Sequence, residues 1–359
     1  MRVGIVTFHR AMNYGAVLQA FALNKYINDE VCDCEVIDYI PNNHIGKKRP
    51  FFMRLLSKIK RLLLSSSNKE PSKYLKFNNF IKENMKLSSK KYLGDNDIVT
   101  NPPKYDIYIS GSDQILNTTL TGDSTAFYLS FAKDGKKISY ASSFGRSEIS
   151  QTEICFINEY IATFSAISVR EESARQNIKN HIEKDSTLVV DPVFLLDDIV
   201  WSECFTEVKM PLHYILVYAM EYSIAMKEAI KQMQKEYNIP LFIISGNPES
   251  SSFEGQYLDN LGPGEFLYVL KNADFVVTNS FHGTAFSIIF KKKFYCVSHT
   301  TRNTRIENLL SLVNQNDKLI SHESRIEDVK NNLINAEECC GEMKTFVDIS
   351  KQFIGSNLR

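Results

Sequence analysis

The part of this chain best suited to chemistry is a histidine set at the start of an apolar helix, just after a buried strand. The stretch DFVVTNSFHGTAFSIIFKKKF runs from Asp274 to Phe294. Phe275, Val276 and Val277 read as the short β-branched and aromatic run of an interior parallel strand. Asn279 and Ser280 can cap a helix, Gly283 lets the backbone pass close to a ligand, and Thr284 to Phe290 continue that helix. A helix N-terminus offers free N–H groups and partial positive charge, so Ser280, Gly283 and Thr284 frame a site for phosphate or carboxylate. His282 stands where that anion would lie and can donate a proton to it, or to the carbon skeleton beside it.

Other polar loops also come after predicted strands. His9 to Gly15 lacks the glycine spacing of a dinucleotide site, but Asn13, beside Tyr14 and Gly15, can offer an amide to sugar hydroxyls; an ordinary helix cap is the alternative. In Ser110-Gly111-Ser112-Asp113-Gln114 a carboxylate closes an interior strand. Burying it is costly unless it is paired or used, so Asp113 is either a base for an attacking hydroxyl or an N-cap. Ser142, Ser143 and Gly145 present small residues and hydroxyls after another strand. Arg170 ends a strand just before Glu171 and Glu172. Its fork suits a bidentate anion, and a pair with either glutamate is the alternative. Arg302 and Arg305 sit at a helix start, where cations oppose the dipole and so favour an anionic partner; a solvated loop remains open.

These loops need a scaffold that brings strand ends together. The chain has 359 residues, more than one compact core holds, with 43% hydrophobic and 23% charged residues as in a globular protein. Strand–loop–helix–strand patterning at Val3–Phe8, Ala16–Ile27 and Glu35–Tyr39 opens a doubly wound sheet. Strands are expected again at Tyr105–Ser110, Lys137–Ala141, Ala166–Val169 and Leu188–Val190, with helices around Ile154–Phe164 and Glu172–His181. After Asp191-Pro192 the pattern restarts: strand Tyr214–Ala219, helix Tyr222–Tyr237, strand Leu241–Ser245, helix Glu265–Asn272, strand Phe294–Val297 and helix Thr304–Leu312. Two helical segments are expected beyond Ser324. The reading is therefore α/β, with two Rossmann-like doubly wound domains facing across a cleft. Residues 1–196 are expected to form the first domain, 197–335 the second, and 336–359 a helix returning to the first domain. In such folds ligands gather at the C-terminal ends of strands.

Net charge is zero, which argues against nucleic acid as a partner. Yet no acidic residue falls between Asp38 and Glu70, a gap holding eight lysines and arginines. Within residues 47–64, Phe51, Phe52, Leu55, Leu56, Ile59, Leu62 and Leu63 share one helical face, and Arg54, Lys58 and Arg61 another. That pattern fits a helix lying in a membrane interface or one packed on the first domain. Seven scattered cysteines without a zinc or CxxC spacing suggest reduced thiols. With a strand at the N-terminus and no spanning apolar run, the expected location is cytoplasmic, with a peripheral place at the inner face of the plasma membrane if the basic helix binds lipid.

Taken together, GIVTFHRAMNYGAVLQAFAL, YDIYISGSDQILN, ISYASSFG, ISVREESA, VVDPVFLL and ADFVVTNSFHGTAFSIIFKKKFYCV, in this order, resemble the polysaccharide pyruvyl transferase family over most of the chain. The resemblance implies a glycosyltransferase-B-like fold and phosphoenolpyruvate as co-substrate, with no other cofactor and no metal. It implies a sugar or lipid-linked oligosaccharide acceptor and a cyclic pyruvate ketal as product. The family histidine corresponds to His282 and its strand-end arginine to Arg170. Many members carry an arginine two residues before that histidine, where this chain has Ser280, so Arg305 or Arg302 is expected to replace it.

On that footing His282 is the expected acid and Asp113 the base, with Arg170, Arg302 and Arg305 holding the donor. Asn13, Tyr14, Ser112 and Ser143 would position the acceptor. Two other readings stand beside this one: a nucleotide-sugar glycosyltransferase on the same architecture, and a non-catalytic glycan-binding or assembly protein of a surface-polysaccharide pathway. The sequence leaves the oligomeric state open.

Overall fold

A computed structural model describes residues 1–42, 70–122, 124–246, 253–300, 303–324 and 330–358. The basic segment 47–64 and Arg302 lie outside the described residues. Five parallel strands form the first sheet: β1 (Arg2–Val6), β2 (Asp33–Ile40), β3 (Leu87–Leu93), β4 (Ile107–Ser110) and β5 (Lys136–Ser139), in the order β3-β2-β1-β4-β5. Bridges from Ile138 to Ala166 and from Ser142 to Val169 extend it to a parallel pair, β6 (Ser168–Val169) and β7 (Thr187–Leu188).

The second sheet comprises β8 (Ile215–Ala219), β9 (Leu241–Ser245), β10 (Gln256–Tyr257), β11 (Phe275–Thr278), β12 (Lys293–Cys296) and β13 (Ile334–Asn335). Its order is β10-β9-β8-β11-β12-β13, parallel except for the last pair. Strands β1, β4, β8 and β11 are almost wholly buried, consistent with their unbroken apolar sequences. In each sheet the strand order reverses beside the first strand, between β1 and β4 and between β8 and β11. Adjacent loops diverge there and leave a crevice at the strand ends.

The helices of nine residues or more among the described residues are α1 (Tyr14–Glu30), α2 (Lys73–Asn84), α3 (Gln151–Ile161), α4 (Glu172–Ile182), α5 (Ile224–Tyr237), α6 (Pro263–Asn272), α7 (Phe281–Ile289), α8 (Thr304–Leu312) and α9 (Cys340–Asn357). Helix α1 begins where Asn13 accepts from the Ala16 N–H at 3.1 Å, and it buries residues all around its circumference. Its place between the sheets is the reason. Tyr14 stacks on Phe266 of α6 with centroids 4.4 Å apart, and its hydroxyl donates to the Leu261 carbonyl at 2.9 Å. Trp201, fully buried, packs against Phe21 of α1 and Phe286 of α7. Partly buried at the same seam, Lys76 of α2 pairs with Glu265 of α6 at 2.7 Å.

Beyond Ser324, where two helical segments are expected, residues 325–329 lie outside the described residues, and the described ones form two short 3-10 turns on either side of the edge strand β13, then one long helix, α9. Helix α9 lies against the first domain: Ser350 accepts from the Val190 N–H at 2.9 Å, and Lys136 donates to the Asn357 carbonyl at 2.9 Å. No helix among the described residues is long and apolar enough to cross a membrane.

The Tyr14 hydroxyl bond joins the two halves without touching the site. Tyr14→Phe removes it alone and is expected to cost about 1 kcal/mol in urea unfolding. An unchanged midpoint would show that this bond does not help hold the sheets together.

Candidate functional site

The two strand-order reversals face each other, and their loops enclose a cavity of about 280 Å³. Asn13, from the loop after β1, and Asp113 and Gln114, after β4, form one wall. Ser280 and His282, after β11, and Arg305 of α8 form the other.

Asp113 has φ of 73°, in the left-handed region that a non-glycine residue enters only when its surroundings impose it. Its carbonyl accepts from Ile115 N–H at 2.8 Å and Ser143 N–H at 3.0 Å, which fixes the turn. The carboxylate then meets two cations: Arg170 donates to it at 3.2 Å and Arg305 lies 3.6 Å away. Burial alone would push the Asp113 carboxyl up. The charges of Arg170, Arg305 and His282 outweigh that and hold it below the usual carboxylate range.

Behind this wall lies Asp191, fully buried at the crossing between domains. One of its oxygens accepts from the Val193 N–H at 3.1 Å. The other takes the Arg170 guanidinium and the Ser112 hydroxyl, and lies 3.7 Å from His282 Nε2. Burial opposes its ionisation, but Arg170 and His282 prevail and its carboxyl sits well below the usual range. Arg170 itself is 3% exposed, divided between Asp191 and Asp113, and lies over the Phe281 ring at 4.5 Å. The alternative pair with Glu171 or Glu172 does not occur. The Glu171 side chain instead takes the Ser143 hydroxyl.

His282 occupies the first turn of α7, capped by Ser280, whose hydroxyl accepts from the Gly283 N–H at 3.4 Å. Its Nε2 is buried, with no hydrogen-bond partner among the described residues. The ring rests on Gly15 of α1, and a Cβ there would come within 1.9 Å of Nδ1. One glycine therefore sets how closely the catalytic candidate approaches the first domain.

Of the sequence-derived candidates, Asn13, Asp113, Ser280, His282 and Arg305 line this one cavity. The others stand elsewhere. Arg170 lies behind the wall with its terminal nitrogens taken by aspartates, which corrects the expectation that it meets a donor directly. Gly283 is needed for packing, because a Cβ there would meet Thr278 and Tyr218 of its own domain. Thr284 is buried and bonds the Ser280 carbonyl at 3.1 Å. Tyr14 is spent on the interdomain contact. Ser112 and Ser143 are fully buried and bonded to Asp191 and Glu171, not presented to an acceptor. Sequence reasoning missed Asp191 and Phe281. The first carried a usable signal, a carboxylate closing the apolar run Leu188–Val190, as Asp113 closes β4.

A family model described as polysaccharide pyruvyl transferase matches residues 13–301, which include nearly every residue of this site. The chain belongs to the polysaccharide pyruvyl transferase family. Membership makes it a transferase of polysaccharide chemistry, and its fold is glycosyltransferase-B-like. The putative UDP-N-acetylglucosamine 2-epimerase of Listeria monocytogenes superposes with a TM-score of 0.53 at 12% identity, over 97% of this chain and 90% of that one. The UDP-GlcNAc 2-epimerase of Neisseria meningitidis, bound to UDP-GlcNAc, gives 0.52 at 12%, over 99% of both chains. The enzyme of Methanocaldococcus jannaschii gives 0.50 at 14%, over 98% of this chain and all of that one. At such identities the likeness is one of fold. No curated protein matches the chain.

Because Asp113 and Asp191 are depressed in the folded protein, their stabilising contribution is complete above the unfolded carboxylate value of about 4 and is lost as pH falls below it. Asp191→Asn should flatten that acid limb in denaturation measured from pH 6 down to pH 3. An unaltered limb would mean the carboxylate is not the group being titrated. Gly15→Ala should disturb His282 and abolish turnover while leaving the circular dichroism of the fold intact.

Proposed function

We propose that this pyruvyl transferase family member moves pyruvate from phosphoenolpyruvate to two hydroxyls of one sugar, releasing phosphate and leaving a cyclic ketal. The observation that carries the reading is the convergence of His282, Arg305 and the α7 N-terminus on the cavity that Asn13 and Asp113 close from the other domain.

The chemistry can be traced atom by atom. A proton from His282 goes to the methylene carbon, which becomes the methyl group, and positive charge develops on the neighbouring carbon. A sugar hydroxyl bonds to that carbon and gives up its proton towards Asp113. Two arginines make Asp113 a weak base, but a hydroxyl bonding to a cationic carbon is a strong acid, so a weak base suffices. The carbon–oxygen bond to phosphate then breaks and the second hydroxyl closes the ring. The two hydroxyl protons replace the proton given to the methyl group and the one carried off by phosphate, so the balance closes. Arg305 and the N–H groups of α7 hold the phosphate and carboxylate, where charge on the leaving group matters most. In this reading Arg305 supplies the cation that Ser280 does not. Arg170 acts from behind by fixing Asp113 and Asp191. Holding both hydroxyls in register with the enol carbon supplies much of the rate.

Phosphate release from phosphoenolpyruvate across a panel of pyranoses tests the reading. His282→Gln should lower kcat about 10²- to 10⁴-fold with the fold intact. Arg305→Ala should raise the KM for phosphoenolpyruvate about tenfold or more, with little change in acceptor KM. Normal turnover by the His282 variant would remove the acid role. An unmoved donor KM would remove Arg305 from the donor site.

A further inference from the structure

Strand β2 ends at Ile40, and α2 starts after its cap, Ser72. Residues 43–69 lie outside the described ones, but their composition is one-sided: eight lysines and arginines and no acidic residue. The whole chain is neutral, so positive charge is concentrated here and the balancing negative charge lies elsewhere. The described residues show where this stretch leaves and rejoins the fold. Asp38 of β2 and Ser72 line one hollow of about 780 Å³ on the first domain.

The same hollow takes Tyr74, Leu75, Asn78 and Lys82 from α2 and Lys91 from β3. Helix α2 buries Phe77, Phe80 and Ile81, while Tyr74, Asn78 and Lys82 follow one another at i, i+4, i+8 along another side. Strand β3 is the edge of its sheet. Lys91 and Leu93 share one side of it, in register with Asp38 and Ile40 of β2.

The carboxylates of these elements are already matched or turned away. Arg10 holds Asp38 through bonds of 2.6 and 2.8 Å, and Lys90 holds Asp97 at 2.8 Å. Asp33 pairs with Lys86, Glu35 with Arg2, and Glu70 with Lys76. Glu83 lines a different hollow, together with Lys76. Lys82 and Lys91 are exposed and pair with no carboxylate among the described residues. The place where the basic stretch joins the fold therefore carries two surplus cations of its own.

Large apolar side chains stand among them. Tyr74 is 67% exposed, Leu93 53% and Leu75 39%. One such residue alone needs no explanation, but three of them border these lysines, and the adjoining stretch interleaves its charge with phenylalanines and leucines between residues 51 and 64. Cations mixed with apolar groups match a bilayer interface, where lipid phosphates lie above acyl chains. A polynucleotide would satisfy the cations and leave the leucines in water.

We propose that this face, α2 from Tyr74 to Lys82 with the β3 edge from Lys91 to Leu93, docks on the surface of an anionic bilayer. The lysine ammonium groups meet headgroup phosphates, and Tyr74, Leu75 and Leu93 enter the interface. The proposal rests on no step of the pyruvyl-transfer reading and is tested without it.

The test uses the full chain and two kinds of vesicle: phosphatidylcholine alone, and phosphatidylcholine with about 30% phosphatidylglycerol. Co-sedimentation should favour the anionic vesicles by about tenfold or more. Raising salt from about 0.05 to about 0.5 M should release the protein. A surface lysine contributes about fivefold, so Lys82→Glu with Lys91→Glu should weaken binding about tenfold or more. Tyr74→Ser with Leu75→Ser should weaken it severalfold. All four positions are exposed, so circular dichroism should match the parent protein. Equal partition into the two vesicles, or undiminished binding by the double glutamate variant, overturns the docking face. Displacement from vesicles by soluble glycerophosphoglycerol at matched phosphate concentration overturns it in favour of a headgroup pocket. Tighter retention on a polynucleotide than on anionic vesicles overturns it as well.

Discussion

One buried guanidinium governs this molecule. Arg170 lies almost without exposure between the carboxylates of Asp113 and Asp191 and over the ring of Phe281. The desolvation cost of such a group is recovered only while its partners stay in place, and removing one partner from a buried pair typically costs about 3–5 kcal/mol. The three charged residues come from different places: the turn after β4, the end of β6, and the crossing between domains. Their mutual attraction therefore specifies where three chain segments meet. It also explains how Asp113 keeps a positive φ, since the strain is borne by a turn that the ion cluster and two backbone bonds hold fixed.

The rest of the site is arranged around that anchor. Two sheets of like topology place their order reversals face to face, so loops from both domains reach the same volume. Helix α1 lies between them and α7 begins against it, with Gly15 providing room for the imidazole. Asparagine and aspartate on one side and an arginine and a helix N-terminus on the other make a polar cavity within a largely apolar interface, where the fields of fixed dipoles act with little solvent screening.

Much of this was legible in the residues. The apolar runs of β8, β9 and β11 and the helix at Thr304–Leu312 are placed by their patterns to within a residue or two. His282 and Asp113 stand out because polar residues at the ends of buried strands need a reason. The features that escaped reading are those that depend on partners. Strand β3, with the sequence LSSKKYL, buries only Tyr92 fully and looks like a loop until β2 pairs with it. The amphipathic α2 lay close to a charge-biased stretch and drew no separate assignment. Arg170 has the look of a ligand-binding cation from its position alone, and only the buried aspartates on either side show that it faces inward. Gly283 reads as room for a ligand, whereas its own domain fills that room with Thr278 and Tyr218. Proximity in space, not local pattern, decided each of these.

Asn308 has a further mechanical meaning. Its amide donates to the Arg170 carbonyl at 3.0 Å and accepts from the Glu172 N–H at 3.2 Å, bonding the backbone on both sides of Glu171 as a neighbouring strand would. A side chain of the second domain thereby imitates a β-ladder with the first. The domains are thus joined by a borrowed piece of sheet pairing, set beside the arginine that orders the charges.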